Sequence, residues 1–208
     1  MHPEAARLFA LDGALRAEAD EVLGKSGIGG ILAEGGYELV GSYVMRTMTW
    51  RDLDFERYEE PDWPRHWEVG TQLAETGWCA RLLCIDVYRE ASPEAQPDFG
   101  LYWGIRVADP HRTQPAPPGD PTVWKLDVWT ARPEEFLGRD ERAAWASAMT
   151  EEARSHILAI KEAVCKEPEY RHSMLSVHVY EAVLEQGVRG VEAFRDWWRE
   201  HYSDQRRS

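Results

Sequence analysis

Hydrophobic positions recur at two spacings along this chain, and the change from one to the other marks out the expected elements. Leu8, Leu11, Leu15 and Val22 fall near helical spacing and predict an amphipathic helix over the first ~25 residues. The glycines of GKSGIGG then break it. Stretches of strand length follow at Tyr37–Val40, Leu53–Tyr58, within Trp78–Tyr88 (around Leu82-Leu83-Cys84-Ile85), Leu101–Ala108 and Thr122–Trp129. Tyr43–Thr49 has room for one or two helical turns, and Trp63–Thr76 reads as a Pro-bounded helix. The segment EASPEAQPD is turn-rich, and DPHRTQPAPPGDP reads as a hairpin loop. From Arg139 the pattern is helical, over Asp140–Cys165, Ser173–Glu185 and Val191–His201.

This order predicts an α+β fold, a small mixed β-sheet core with helices followed by a helical C-terminal region. The expected division is residues 1–138 for the core with its N-terminal helix and 139–208 for the helical region. No internal repeat or low-complexity segment interrupts it. Tyr170 and Tyr180 are expected in the core of the helical region.

Composition changes this picture in two ways. The 208 residues include 24 basic and 37 acidic side chains, a formal net charge of −13. Such a surface repels nucleic acid and anionic membrane unless a basic patch compensates, and Arg206-Arg207 is too short to be one. Cys79, Cys84 and Cys165 lack the paired spacing of a structural zinc site and are expected to be buried free thiols. The charged opening MHPEAARLFALDGALRAEAD does not read as a cleavable signal, and no apolar run reaches membrane-spanning length. A cytoplasmic location is the expectation.

Candidate chemistry gathers in two places. Gly41-Ser42 follows a short strand and opens a helical turn, where a glycine lets the backbone approach a ligand and Ser42 can cap the turn. Amide N–H groups at such a turn favour phosphate. In Asp52-Leu53-Asp54-Phe55, strand periodicity puts both aspartates on one face and both apolar residues on the other. Neighbouring carboxylates repel unless a cation sits between them. The same period in WKLDVW sets Lys125, Asp127 and Trp129 on one face, against Leu126 and Val128. An aspartate within so apolar a strand is disfavoured by propensity and asks for a reason, which a metal would supply. Trp50 and Trp129 read as packing residues, and Lys125 and Lys161 as solvated lysines unless a phosphate engages them.

The segments LVGSYVMRTMTWRDLDF and WKLDVW together resemble the DNA polymerase β-type nucleotidyltransferase superfamily: Gly-Ser, nine residues, Asp-hydrophobic-Asp, and a distant aspartate on a later strand. The resemblance covers about residues 37–130. It implies a metal-dependent transferase moving a nucleoside monophosphate, expected to be AMP from ATP, onto an acceptor hydroxyl. By the same resemblance Asp52 and Asp54 would bind two Mg²⁺ ions, and Asp127 the ion nearer the acceptor. Gly41 and Ser42 would hold the donor triphosphate. Arg51 is a candidate for phosphate neutralisation, and Lys161 resembles a helical lysine that some members direct at the donor. Met45-Arg46 departs from the pattern, which often has a small residue there.

The implied acceptor is a small molecule, such as an antibiotic, or a protein side chain. The acidic residues Glu56, Glu59, Glu60 and Asp62 suggest a rim that attracts a polycation and repels a phosphate backbone. The alternatives are a nucleotide-binding module without turnover and a tRNA or other nucleic-acid nucleotidyltransferase.

Overall fold

Strict alternation of buried and half-exposed positions runs the length of Asp52–Tyr58 (β2), with Leu53, Phe55 and Arg57 buried. That is the period-2 signature of a strand with one face in a core. In the computed structural model, which describes residues 3–89, 100–114, 117, 120, 122–136, 139–170 and 173–202, β2 is an inner strand of a five-stranded sheet. The others are Glu38–Val40 (β1), Cys79–Asp86 (β3), Leu101–Val107 (β4) and Trp124–Ala131 (β5), in the order β1-β2-β5-β4-β3. β2 and β5 run parallel and the other pairs antiparallel, so the sheet is mixed and the fold α+β. The turn-rich segment EASPEAQPD, parts of the β4–β5 loop, and Arg206-Arg207 lie outside the described residues.

A parallel pair needs a crossover, and here the chain passes from β2 through helix Trp63–Glu75 (α4), β3 and β4 before reaching β5. α4 buries His66, Val69, Gly70 and Leu73, a helical stripe at i, i+3, i+4 and i+7. A β-carbon on Gly70 would stand 2.2 Å from the fully buried Trp103 ring of β4, so this glycine sets how closely helix and sheet approach. Trp103, Leu126, Val128, Leu53 and Phe55 all turn to this side. The opposite face carries Asp52, Asp54, Lys125 and Asp127, and then a small apolar cluster of Val87, Tyr102, Trp129, Ala131 and Phe136.

The chain divides into two compact units, residues 13–136 and residues 1–12 with 137–208. The first unit holds the sheet. Residues 1–12 group with the helical unit, although the sequence pattern had placed them with the sheet. The N-terminal helix Pro3–Ser26 (α1) crosses the boundary unbroken. The glycine break is confined to Gly27, in the left-handed conformation, and a second helix, Ile28–Glu34 (α2), restarts at once. Sequence pattern missed α2 because two of its seven residues are glycines.

In the helical unit the single expected helix over Asp140–Cys165 is two, Arg142–Ala148 (α5) and Glu151–Val164 (α6). Thr150 divides them by capping α6, its hydroxyl accepting from the Ala153 N–H at 3.1 Å. Ser176–Tyr180 (α7) runs on as a π-type turn over Glu181–Glu185, and Val191–Tyr202 (α8) follows. Tyr170 and Tyr180 are buried. Cys79, Cys84 and Cys165 are free thiols, half-buried rather than buried. No helix among the described residues is long and apolar enough to cross a membrane.

His66 gives the sheet unit a pH dependence. It is fully buried, stacked on Trp103 at 5.0 Å, with Nδ1 3.2 Å from the Tyr37 hydroxyl. Burial, helped by the nearby Arg57 guanidinium, pushes its pKa down to about 3. An unfolded histidine binds a proton near pH 6.5 and this one does not, so stability is lost as pH falls from about 6.5 toward 3. Thermal melts between pH 7.5 and 4 should show this acid loss shrinking in His66→Gln; an unchanged slope would count against it.

Candidate functional site

β2 and β5 pair in register, Asp52 opposite Lys125 and Asp54 opposite Asp127. All four side chains leave the same face, so three acids and one base occupy the corners of a two-by-two square. Alternation puts Asp52 and Asp54 on one face of their strand and Lys125 and Asp127 on one face of theirs, and the parallel pairing makes the two faces one.

Neutral donors hold the square from outside. The Tyr102 hydroxyl donates to Asp127 Oδ1 at 2.7 Å, and the Trp50 indole donates to Asp52 Oδ2 at 3.1 Å. Tyr102 reaches Asp127 by leaning over Gly104, its neighbour two residues along β4. A β-carbon at Gly104 would meet the phenol oxygen at 2.7 Å. From within, the Lys125 ammonium bonds Asp127 Oδ2 and lies 3.4 Å from Asp52 Oδ1. Lys125, Asp52 and Asp127 expose 20%, 13% and 17% of their side chains, so this is a largely desolvated ion cluster.

Charge crowding shows in the ionisation of the group. Burial and the charges of Asp52 and Asp127 drive the Asp54 carboxyl well above the ordinary carboxylate range. Burial also raises Asp127, against the pull of Lys125. Burial alone would lower Lys125, but Asp52 and Asp127 outweigh it and hold its ammonium above its usual value.

Gly41 closes the third side. It opens the short helix Gly41–Val44 (α3) directly after β1, with φ at +63°, and a β-carbon there would stand 2.3 Å from Asp54 Oδ2. The position therefore needs glycine for conformation and for space. Ser42 is half-buried in the first turn of α3. Its expected capping role is not observed: Val40 is the N-cap, two residues before Ser42, and no side chain caps the turn. Arg46 follows with φ at 58°, the one non-glycine residue at positive φ among those described.

Two candidates have other engagements. Arg51 has the strand parity of Leu53 and turns to the face away from the acids, where Glu18 of α1 takes its guanidinium at 2.5 and 2.7 Å. Lys161 belongs to the helical unit, fully buried on α6 rather than solvated, with its ammonium 5.7 Å from the Tyr180 ring centroid. Lys125 is likewise not a solvated lysine. Of the acidic residues expected to form a rim, Glu56 lies within β2 on the face of the square and accepts from Tyr58 at 2.8 Å. Glu59 is paired with Arg57 at 3.0 Å and Arg65 at 3.1 Å, so its charge is locally offset.

Sequence reasoning missed Tyr102 and Gly104, and read Trp50 as packing. A Tyr-x-Gly spacing on a strand was the available signal, but it has meaning only once β4 is known to lie beside β5.

Among the described residues, no three His, Cys, Asp or Glu side chains converge as they would around a metal ion. Three carboxylates lie on adjoining strands, with Asp54 seated against Gly41, and carboxylate oxygens are the donor type that hard divalent cations take. For such an ion to gather Asp52 and Asp127, Lys125 would have to give up its contacts. No protein-family model and no curated protein matches this chain.

Proposed function

We propose that this chain is a metal-dependent nucleotidyltransferase, moving AMP from ATP to a hydroxyl of a small-molecule or protein acceptor. The observation that carries the reading is the register of β2 and β5, which places Asp54 opposite Asp127 with Asp52 beside them on one face. Three clustered carboxylates destabilise a fold, and a site for divalent cations gives them a reason.

Asp52 and Asp54 would hold both Mg²⁺ ions, and Asp127 the one nearer the acceptor. The chemistry those ions supply when bound is neutralisation of the attacking and leaving oxygens of an in-line displacement. The chain's own part is positioning. Tyr102 restrains Asp127 through Oδ1, and Oδ2, which Lys125 engages, would turn to the metal and the acceptor. Gly41 lets the α3 turn lie against Asp54, which sets Ser42 and the following amides where donor phosphates would be bound. Arg51 and Lys161, given their engagements with Glu18 and within the helical unit, are not included. The net charge of −13 supports an acceptor that is not a nucleic acid.

A second reading is a module without turnover. It is favoured by Lys125, which already compensates two of the three acids. One assay separates the readings. The protein is incubated with each NTP, Mg²⁺ and a library of hydroxyl-bearing metabolites and antibiotics, with tRNA and single-stranded DNA as further arms, and products are weighed. A gain of one nucleotide monophosphate on a small molecule or protein is expected. Binding of Mg-NTP with no product in any arm would favour the module, and labelled tRNA would favour the nucleic-acid enzyme.

A further inference from the structure

The four-cornered cluster on β2 and β5 contains its own cation, and the way its oxygens are shared out is unequal. Each of two aspartates gives one oxygen to a neutral donor: Asp127 Oδ1 to the Tyr102 hydroxyl at 2.7 Å, and Asp52 Oδ2 to the Trp50 indole at 3.1 Å. The other oxygen of each, Asp127 Oδ2 and Asp52 Oδ1, faces the Lys125 ammonium. The outer bonds restrain both carboxylates, so the inner oxygens stay turned toward one point. That point is occupied by a monovalent charge on a four-carbon stem. Strand alternation fixes the direction in which Lys125 leaves the backbone, while its stem torsions leave the ammonium free to move along the face.

We propose that Lys125 is a displaceable counter-charge, holding Asp52 and Asp127 together in the metal-free protein and yielding their inner oxygens when a divalent cation binds. This rests on the metal-dependent reading of the site. A divalent ion competes for the same two oxygens with twice the charge, and Asp54, paired opposite Asp127, adds a further carboxylate. The released ammonium remains within its stem's reach of the site, where it meets the anionic phosphates of a bound nucleotide. One residue thus stabilises the empty site against carboxylate repulsion and contributes positive charge to the filled one.

The test compares wild type, Lys125→Met, Lys125→Arg and Asp54→Asn by calorimetric titration with Mn²⁺ and by melting with and without the ion. Lys125→Met should melt lower than wild type without metal, bind Mn²⁺ roughly tenfold more tightly because the competitor is gone, and gain more in Tm on loading. Lys125→Arg, which keeps a cation, should not show the tighter binding. A second readout uses the wild type alone. The chain has four lysines, Lys25, Lys125, Lys161 and Lys166, so acetylation can be followed residue by residue by mass spectrometry. Saturating Mn²⁺ should raise labelling of Lys125 several-fold and leave Lys25 and Lys166 unchanged.

Wild type that binds no Mn²⁺, or binds it equally in Asp54→Asn, would remove the metal-dependent reading and this proposal with it. Wild type that binds through Asp54 while Lys125 labelling stays constant would overturn the role of Lys125 alone. Lys125→Met binding no more tightly than wild type would do the same. If Lys125→Met does not fold, the labelling result decides.

Discussion

Asp54→Asn is expected to abolish nucleotidyl transfer, by about 10³-fold or more, while leaving the metal-free protein at least as stable as wild type. The two effects have one cause. Asp54 is half-buried beside Asp52 and Asp127, and the partial loss of water with those neighbours makes its charged form costly. Asparagine keeps the shape and cannot ionise, so it relieves the fold of the cost of that carboxyl. Asp127→Asn should lose comparable activity. It also removes the acid that holds Lys125 and Tyr102, so it should lose some stability, and the pair of variants separates the two roles. Steady-state transfer rates and metal-free melting temperatures are the measurements. Full turnover in either variant would end the mechanism, and a strongly destabilised Asp54→Asn would mean that its charge serves the fold.

Gly41→Ala should be the next most damaging change, with transfer lowered by about 10²-fold and stability by about 1–3 kcal/mol. Its φ of +63° disfavours a side chain, and a β-carbon would stand 2.3 Å from Asp54 Oδ2. Either α3 or the Asp54 carboxylate must shift, and both belong to the site. Gly77 provides the control, since its φ is +73° but nothing lies within 4 Å of a β-carbon built there. Gly77→Ala should show only the conformational cost, roughly 1 kcal/mol, with transfer unchanged. Equal activity losses in the two variants would mean that the contact with Asp54 is not what matters at Gly41.

The sequence by itself determined most of the sheet and the direction of its side chains. Period-2 alternation in DLDF and WKLDVW was enough to turn Leu53, Phe55, Leu126 and Val128 into the core and the aspartates away from it, because a one-residue slip would invert both faces. The α4 stripe was legible for the same reason at helical spacing. The pattern could not show the second helix after Gly27, because two of its seven residues are glycines, which disfavour a helix. Nor could it show the split at Thr150, where a capping bond interrupts a continuous helical pattern.

At the site, local pattern identified which residues carry charge but not which strands adjoin. Parallel pairing of β2 with β5 is a long-range choice set by the α4 crossover, and it alone brings Asp54 opposite Asp127 and Lys125 opposite Asp52. The neighbouring β4 then supplies Tyr102, which no spacing in the sequence connects to Asp127. Strand parity likewise sent Arg51 to Glu18 on the far face, although it is adjacent in sequence to Asp52. Periodicity acts over a few residues and fixes the face of each side chain. Pairing between distant strands fixes its neighbours, and the chemistry proposed here depends on those neighbours.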